Sequence, residues 1–280
     1  MARATIVDGK KIAADVKGKL AAAVSEAGVT PSLAVVLARG DAGAASYTRA
    51  LARAGEGVGV RVVVYELEPE PEEAARVIAE ANGDPAVDGI ILQKPFAGRE
   101  TDAELAEIIS VDKDVDGQTS ASLGLVWAGR PSFVPSTAAA AVHILEVHGV
   151  DFVGAEATVV GRSPVVGKPV AALLVARHAT VTICHTRTRG LAAACRRADV
   201  LVAAAGSAGL ISGDMVKPGA AVIDCGYNFT ADGEVVGDVA FEEAREVASL
   251  INPAQGGVGP VTTALLLANV ARAAGVAVSL

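Results

Sequence analysis

GRSPVVGKP, Gly161 to Pro169, follows an apolar run, Ala157–Val160, and opens a second one, Val170–Ala176. That order reads as a strand, a tight glycine turn and the start of a helix, the layout of a dinucleotide-binding unit. Gly161 lets the chain turn sharply after the strand, and Gly167 lets helix and strand pack closely. The first helical amides are expected to point at a pyrophosphate, favoured by the positive end of the helix dipole. The spacing departs from G-x-G-x-x-G: Ser163 stands in place of the second glycine and the third comes one residue late. A second strand, Thr180–Cys184, ends in His185-Thr186-Arg187-Thr188-Arg189. NAD-selective folds carry an acidic residue there, about 20 residues after the turn, to bind the ribose hydroxyls. None is present, and Thr186, Arg187 and the turn's own Arg162 suit a 2′-phosphate instead. The cofactor expected is therefore NADP, held by Gly161, Arg162, Ser163, Val166, Gly167, Thr186 and Arg187. A solvated surface turn is the plainer reading of Arg189.

Composition narrows the class. The 280 residues suffice for one large domain or two modest ones. Apolar residues make up 51 % and aromatic ones 3 %, so the core is built from Ala, Val, Leu and Ile, which suits an α/β fold. The formal net charge of −8, with no basic stripe, argues against nucleic acid or an anionic membrane surface as partner. Residues 1–9 hold no signal-peptide core, and no apolar run reaches the length of a spanning helix. Three cysteines without a C-x-x-C pair read as reduced thiols, and a cytoplasmic location is expected. His143 and His148 lie about 140° apart around a helix axis and would not share a metal, so none is assigned.

Strands alternate with helices along the chain, implying parallel pairing through crossovers. Helices are expected at 12–27, 44–58, 72–81, 102–109, 137–147, 170–176 and, more weakly, 191–196, and strands at 33–38, 61–66, 89–93, 157–160, 180–184, 200–204 and 221–224. Ser136 reads as the cap of the helix that follows it. The glycine-rich turn Gln255–Pro260 leads into a last apolar helix. The expected architecture is two α/β domains with an active-site cleft between them, the second of Rossmann type. The first covers 1–134 and is completed by a C-terminal helix at about 261–280; the second covers 135–260.

Several separated segments resemble the bifunctional methylenetetrahydrofolate dehydrogenase/cyclohydrolase family. They are DGKKIA (Asp8–Ala13), PSLAVVLARG (Pro31–Gly40), DGIILQ (Asp88–Gln93), DKDVDG (Asp112–Gly117), GRSPVVGKP, IDCGYN (Ile223–Asn228), VGDV (Val236–Val239) and GGVGPVTTA (Gly256–Ala264). They stand in family order across nearly the whole chain. The resemblance implies hydride transfer from 5,10-methylenetetrahydrofolate to NADP, then addition of water to the methenyl cation to give 10-formyltetrahydrofolate, in a homodimer. It carries over Asp116 as the carboxylate that grips the pterin, where a turn carboxylate is the bland alternative and the better one for Asp112 and Asp114. It carries over Tyr47 as the ring beside the aminobenzoyl group and Gln93 as the amide near the reactive carbon. Gly259, Pro260 and Thr262 match the segment between pterin and nicotinamide.

One departure bears on chemistry. The family lysine four residues after the tyrosine is Leu51 here, and Arg49 and Arg53 point to other helix faces. A leucine supplies neither charge nor proton, and an arginine cannot serve as a base. Other folate-side changes are Lys94, Phe96 and Ala97 in the family's Q-L-P-L-P, and a loop before Tyr47 one residue shorter. The leading expectation is an NADP-dependent dehydrogenase with weak or absent cyclohydrolase activity. A fully bifunctional enzyme using Lys94 or another group is the alternative. A non-catalytic folate- or nucleotide-binding paralogue and an oxidoreductase on a different one-carbon substrate stand behind these.

Overall fold

Apolar runs too short for helices become buried strands, and amphipathic segments between them become the crossovers. The structure, a computed structural model, describes residues 3–230 and 232–280. The first half of the chain forms β1 (Thr5–Ile6), α1 (Gly9–Ala27), β2 (Ser32–Ala38), α2 (Ala42–Glu56), β3 (Arg61–Leu67), α3 (Pro71–Gly83), β4 (Gly89–Leu92), α4 (Arg99–Ala106) and α5 (Ser120–Trp127). There follow α6 (Ser136–Val147), β5 (Glu156–Val160), α7 (Gly167–Val175), β6 (Thr180–Cys184), α8 (Leu191–Cys195), β7 (Val200–Ala203) and β8 (Ala221–Asp224). The chain ends with β9 (Asn228–Phe229), β10 (Val235–Val236), α9 (Phe241–Ala244), β11 (Leu250–Ile251) and α10 (Val258–Ala273).

The chain divides into two compact units, one of residues up to Ala13 with Thr137–Thr262, the other of Ala14–Ser136 with Thr263–Leu280. The first is a parallel sheet in the order β1-β11-β8-β7-β5-β6, with β9 and β10 as a separate hairpin. Its chain order reverses between β5 and β7, which lie side by side. Such a switch point opens the carboxyl edge of a doubly wound sheet to a ligand. Every residue of β7 and β8 is buried, as strands covered on both faces must be. The compact units group the start of the chain with the larger sheet. Residues up to Ala13 lie with this unit because β1 adds to the sheet beside β11, pairing Thr5 with Leu250 and Ile6 with Ile251. Gly9 follows at once, and a Cβ there would overlap the Gly257 carbonyl oxygen, so only glycine permits this approach.

The second unit is built on the parallel sheet β3-β2-β4. β2 is buried throughout and feeds two cores by simple alternation. Leu33 and Val35 point into one, with Leu20 and Val24 of α1, Leu51 of α2 and Leu266, Leu267 and Val270 of α10. Ala34, Val36 and Ala38 point into the other, with Ala74, Val77 and Ile78 of α3 and Leu105 of α4. Asn269 ties α10 to this unit, donating to the Val115 carbonyl at 2.9 Å and the Val134 carbonyl at 3.2 Å. Leu51 is 0 % exposed. Truncating so enclosed a leucine removes its transfer energy and leaves a cavity. Leu51→Ala is expected to lower unfolding stability by about 2–5 kcal/mol at unchanged denaturant slope. Urea titration checks this, and a loss below about 1 kcal/mol would show that α2 is not packed as described.

Candidate functional site

The parallel register of the first unit brings strand ends together. Val160 pairs with Cys184 and with Ala203, and Ala203 pairs with Asp224. The segments that follow, from Gly161, His185, Ala204 and Cys225, therefore leave the sheet along one edge. Gly161 has φ +132°, and a Cβ on it would overlap the Ala204 carbonyl oxygen. A Cβ on Gly167 would overlap the Gly161 carbonyl oxygen, so α7 packs directly on the turn. Both glycines are thus required by close backbone approach.

The helix amides need a correction. Ser163 Oγ accepts from the N–H of Val166 at 3.1 Å and of Gly167 at 3.3 Å, and the Ser163 carbonyl accepts from Lys168 N–H at 3.0 Å. The donors expected to face a pyrophosphate are engaged by the serine that stands where the fingerprint has glycine. Val166 is half-buried at the head of α7.

The second-strand turn is closed by His185 N–H on Thr188 Oγ1 at 2.8 Å and Thr188 N–H on the His185 carbonyl at 2.8 Å. Arg187 N–H donates to His185 Nδ1 at 3.1 Å, which puts the neutral ring's proton on Nε2. Thr186, Arg187 and Arg162 are exposed, and neither arginine makes an ion pair among the described residues. Uncommitted guanidinium groups beside a glycine turn, with no acid in the following turn, fit a phosphorylated dinucleotide.

In the second unit, β4 ends at Leu92, and Gln118 pins that end. Its Oε1 accepts from Leu92 N–H and its Nε2 donates to the Leu92 carbonyl, both at 3.1 Å. Gln93 follows, half-buried, its N–H on the Val36 carbonyl at 2.8 Å. The next loop folds around buried Asp102, which accepts from Phe96 N–H at 3.0 Å and Ala97 N–H at 2.8 Å. Lys94 lies beyond the strand, so strand alternation does not set its direction. Its side chain is exposed but partly desolvated, and that desolvation is the largest influence, lowering its pKa. The carboxylates of Asp102, Asp116, Asp114 and Glu107 oppose the shift.

Asp116 Oδ1 accepts from Ser136 Oγ–H at 2.6 Å and Ser136 N–H at 3.2 Å. Ser136 is the first residue of α6 and its hydroxyl serves Asp116, where the sequence reads a helix cap. Gly117, at φ +59°, makes room: a Cβ there would sit 2.8 Å from the Pro135 ring. Burial raises the Asp116 pKa, the Ser136 bonds pull it down, Asp114 raises it and Lys94 lowers it. Asp114 is fully buried and accepts from Gln118 N–H at 2.7 Å and Thr119 N–H at 2.9 Å, the turn role the sequence suggests.

Tyr47 on α2 is 36 % exposed, yet its hydroxyl is held above the usual phenol range. Desolvation is the main cause, with Asp116 adding to it and a hydrogen bond with Thr263 opposing it. Tyr47, Lys94 and Asp116 thus share one electrostatic neighbourhood. Leu51, one turn after Tyr47, belongs to the core and lines no surface. Gly259, Pro260 and Thr262 start α10 within the first unit, where Thr262 Oγ1–H donates to the Val258 carbonyl at 3.1 Å. Sequence reasoning missed Gln118, Thr263 and Asp102. Only the proximity of Gln118 to DKDVDG could have drawn attention to it.

Among the described residues no cluster of three His, Cys, Asp or Glu side chains could hold a metal ion, and no helix is long and apolar enough to cross a membrane. Residues 7–116 match the tetrahydrofolate dehydrogenase/cyclohydrolase catalytic domain and residues 135–278 the NAD(P)-binding domain of the same family. The bifunctional protein FolD of Moorella thermoacetica is 46 % identical over 276 residues, 97 % of this chain and 99 % of that protein. The FolD methylenetetrahydrofolate dehydrogenase/cyclohydrolase of Campylobacter jejuni superposes with a TM-score of 0.92 at 35 % identity, covering 97 % of this chain and 98 % of that one. The Trypanosoma brucei enzyme, solved with NADP cofactor and inhibitor, superposes with a TM-score of 0.93 at 32 % identity over 98 % of both chains. With both halves of the family matched and its motifs at built positions in each unit, the chain belongs to the tetrahydrofolate dehydrogenase/cyclohydrolase family.

Proposed function

We propose that this protein oxidises 5,10-methylenetetrahydrofolate to the 5,10-methenyl cation with NADP, and that it hydrolyses the cation slowly. The observation that carries the reading is the shared neighbourhood of Tyr47, Lys94 and Asp116, beside Gln93 at a pinned strand end. Bound NADP supplies the hydride acceptor. Arg162, Thr186 and Arg187 hold its phosphorylated ribose, and Gly161, Ser163, Val166 and Gly167 shape its seat. Asp116 offers its carboxylate to the pterin's N–H groups, steadied by Ser136 on Oδ1. Tyr47 gives a face to the aminobenzoyl ring and Gln93 orients the bridging carbon; Gly259, Pro260 and Thr262 are carried over as further substrate contacts from the family resemblance. Alignment of this kind supplies most of what hydride transfer needs.

Hydrolysis needs a positioned water and a route for the released proton. Leu51, where the family resemblance implies a lysine, provides neither and is sealed in the core. A second reading has its own support: Lys94 lies in the field of Asp116, and its lowered pKa brings it closer to base chemistry at neutral pH. In that reading the ammonium has moved from α2 to the loop after β4, and the enzyme is fully bifunctional. Decay of methenyl absorbance, followed in the parent and in Lys94→Ala, separates the two. The first reading expects decay near the uncatalysed rate in both proteins. Fast decay in the parent that vanishes in Lys94→Ala establishes the second.

Two further outcomes are expected. Arg162→Ala should raise the KM for NADP far more than that for NAD, since only the former has a 2′-phosphate to lose; equal turnover with both cofactors in the parent would defeat the assignment. The raised pKa of Asp116 sets the sign of a pH effect. The acceptor is lost on protonation, so kcat/KM for the folate should fall as pH drops, with a limb above the ordinary carboxylate range. Asp116→Asn should give a low, flat profile, and a limb that persists there belongs to another group. We also infer a homodimer in the cytoplasm, from the family resemblance and the three unpaired cysteines; light scattering of the purified protein tests the first.

A further inference from the structure

Asp238, fully buried, gathers an entire loop. Its Oδ2 accepts from the N–H of Ala205 at 2.5 Å and of Gly206 at 2.9 Å, and its Oδ1 from Ser207 N–H at 2.8 Å and Asn228 Nδ2–H at 2.9 Å. Three consecutive amides converging on one point form an anion-binding nest. Here the chain fills that nest with its own carboxylate, so these amides are closed to a ligand phosphate. The loop is also held farther along. Gly209 N–H donates to the Gly237 carbonyl at 3.0 Å and Ile211 N–H to the Asp238 carbonyl at 2.9 Å. Beneath Asp238 lies a second buried carboxylate, Asp224. It accepts from Asp238 N–H at 3.0 Å, Gly226 N–H at 2.8 Å and Val239 N–H at 2.9 Å. Asn252 closes the base, its Oδ1 accepting from Asp224 N–H and its Nδ2 donating to the Asp224 carbonyl, both at 2.8 Å. Cβ atoms on Gly226 or Gly237 would overlap these carboxylates, so the hub admits no bulk.

The secured loop begins beside the dinucleotide turn. Ala204, whose carbonyl meets Gly161, immediately precedes the three tied amides, and residues 205–210 are exposed at the carboxyl edge of the sheet. We propose that Asp238 is a positioning residue for the cofactor: by gathering the amides of Ala205, Gly206 and Ser207 it fixes the loop flanking Gly161 as a rigid wall of the dinucleotide seat. Asp224 and Asn228 act through it. The inference rests on the cofactor seating at the Gly161 turn, as proposed above.

The test compares the parent with Asp238→Asn, Asn228→Ala and Arg162→Ala by fluorescence titration with NADPH, steady-state kinetics and thermal unfolding. An asparagine offers one acceptor oxygen and turns N–H groups toward N–H groups. Asp238→Asn should raise the NADPH Kd and the KM for NADP roughly tenfold, with the folate KM little changed. Asn228→Ala, which removes a single donor, should raise the same two constants by about threefold and keeps the question open to measurement if Asp238→Asn does not fold. A folded Asp238→Asn with parental NADPH binding, or equal rises in both KM values, would reduce Asp238 to a general structural role. Parental NADPH binding by Asn228→Ala in the absence of a folded Asp238→Asn would do the same. If Arg162→Ala binds NADPH like the parent, the seat itself is misplaced. If it binds weakly while Asp238→Asn does not, only the positioning role falls.

Discussion

Backbone meets backbone where Gly161 passes the Ala204 carbonyl, and the cofactor side of the molecule depends on that approach. No side chain fits between them. The contact exists because β5, β6, β7 and β8 run parallel and end in one register row, so the segments leaving them crowd together. The crowding has to be relieved by glycine, at Gly161 and Gly167, or disciplined by side-chain acceptors. Ser163 disciplines the head of α7, Thr188 the turn after β6, and Asp238 and Asp224 the segments after β7 and β8. Each acceptor bonds amides within a few residues of a strand end, so the edge is ordered before any ligand arrives. Preorganisation of this kind lowers the entropy that binding must overcome.

The second unit solves a different problem, that of keeping charge in a partly desolvated place. Asp116 and Tyr47 both have their neutral forms favoured by burial, and Lys94 likewise. Asp116 and Lys94 partly compensate each other, since Lys94 lowers the pKa of Asp116 while the acids around Lys94 support its charged form, whereas Asp116 adds to the rise at Tyr47. Local groups carry the remainder: Ser136 on Asp116 and Thr263 on Tyr47. The second unit tolerates a lysine on the loop after β4 because four carboxylates favour its charged form.

The strand–turn–helix at 157–176 was legible because glycines under steric constraint and an apolar run leave a pattern that few other arrangements produce. β2 was legible for a similar reason, an uninterrupted apolar run, although the two cores it feeds were not. Other features were not. β1 and β11 are two residues each, too short to show a period, and so the pairing of Thr5 and Ile6 with Leu250 and Ile251 was not read. α5, SASLGLVW, is apolar without an amphipathic stripe. Leu51 was placed beside Tyr47 by helical spacing, but four residues advance the helix by about 400°, and the extra 40° separates the rim of α2 from its core-facing side. Ser163 was read as a missing glycine, although a hydroxyl three residues before a free amide is itself a capping signal. The partnership of Asp224 with Asp238 links positions fourteen apart through backbone amides, and no residue pattern announces that.

Asn269 joins the end of the chain to its middle, bonding the carbonyls of Val115 and Val134, the residues just before Asp116 and Pro135. Thr263, on the same helix, reaches Tyr47. During synthesis, therefore, Tyr47 and Val115 are translated long before the helix that holds them. An emerging chain holds Tyr47, Gln93 and Asp116 on an unfinished scaffold, with the apolar faces of α1 and α2 lacking Leu266, Leu267 and Val270. The first unit has all of its strands, β1 included, once residue 262 has been made, so it has the opportunity to fold before the second unit is complete. A fragment released at residue 262 would therefore carry every strand of the first unit's sheet, while the second unit would lack Leu266, Leu267 and Val270 from its core.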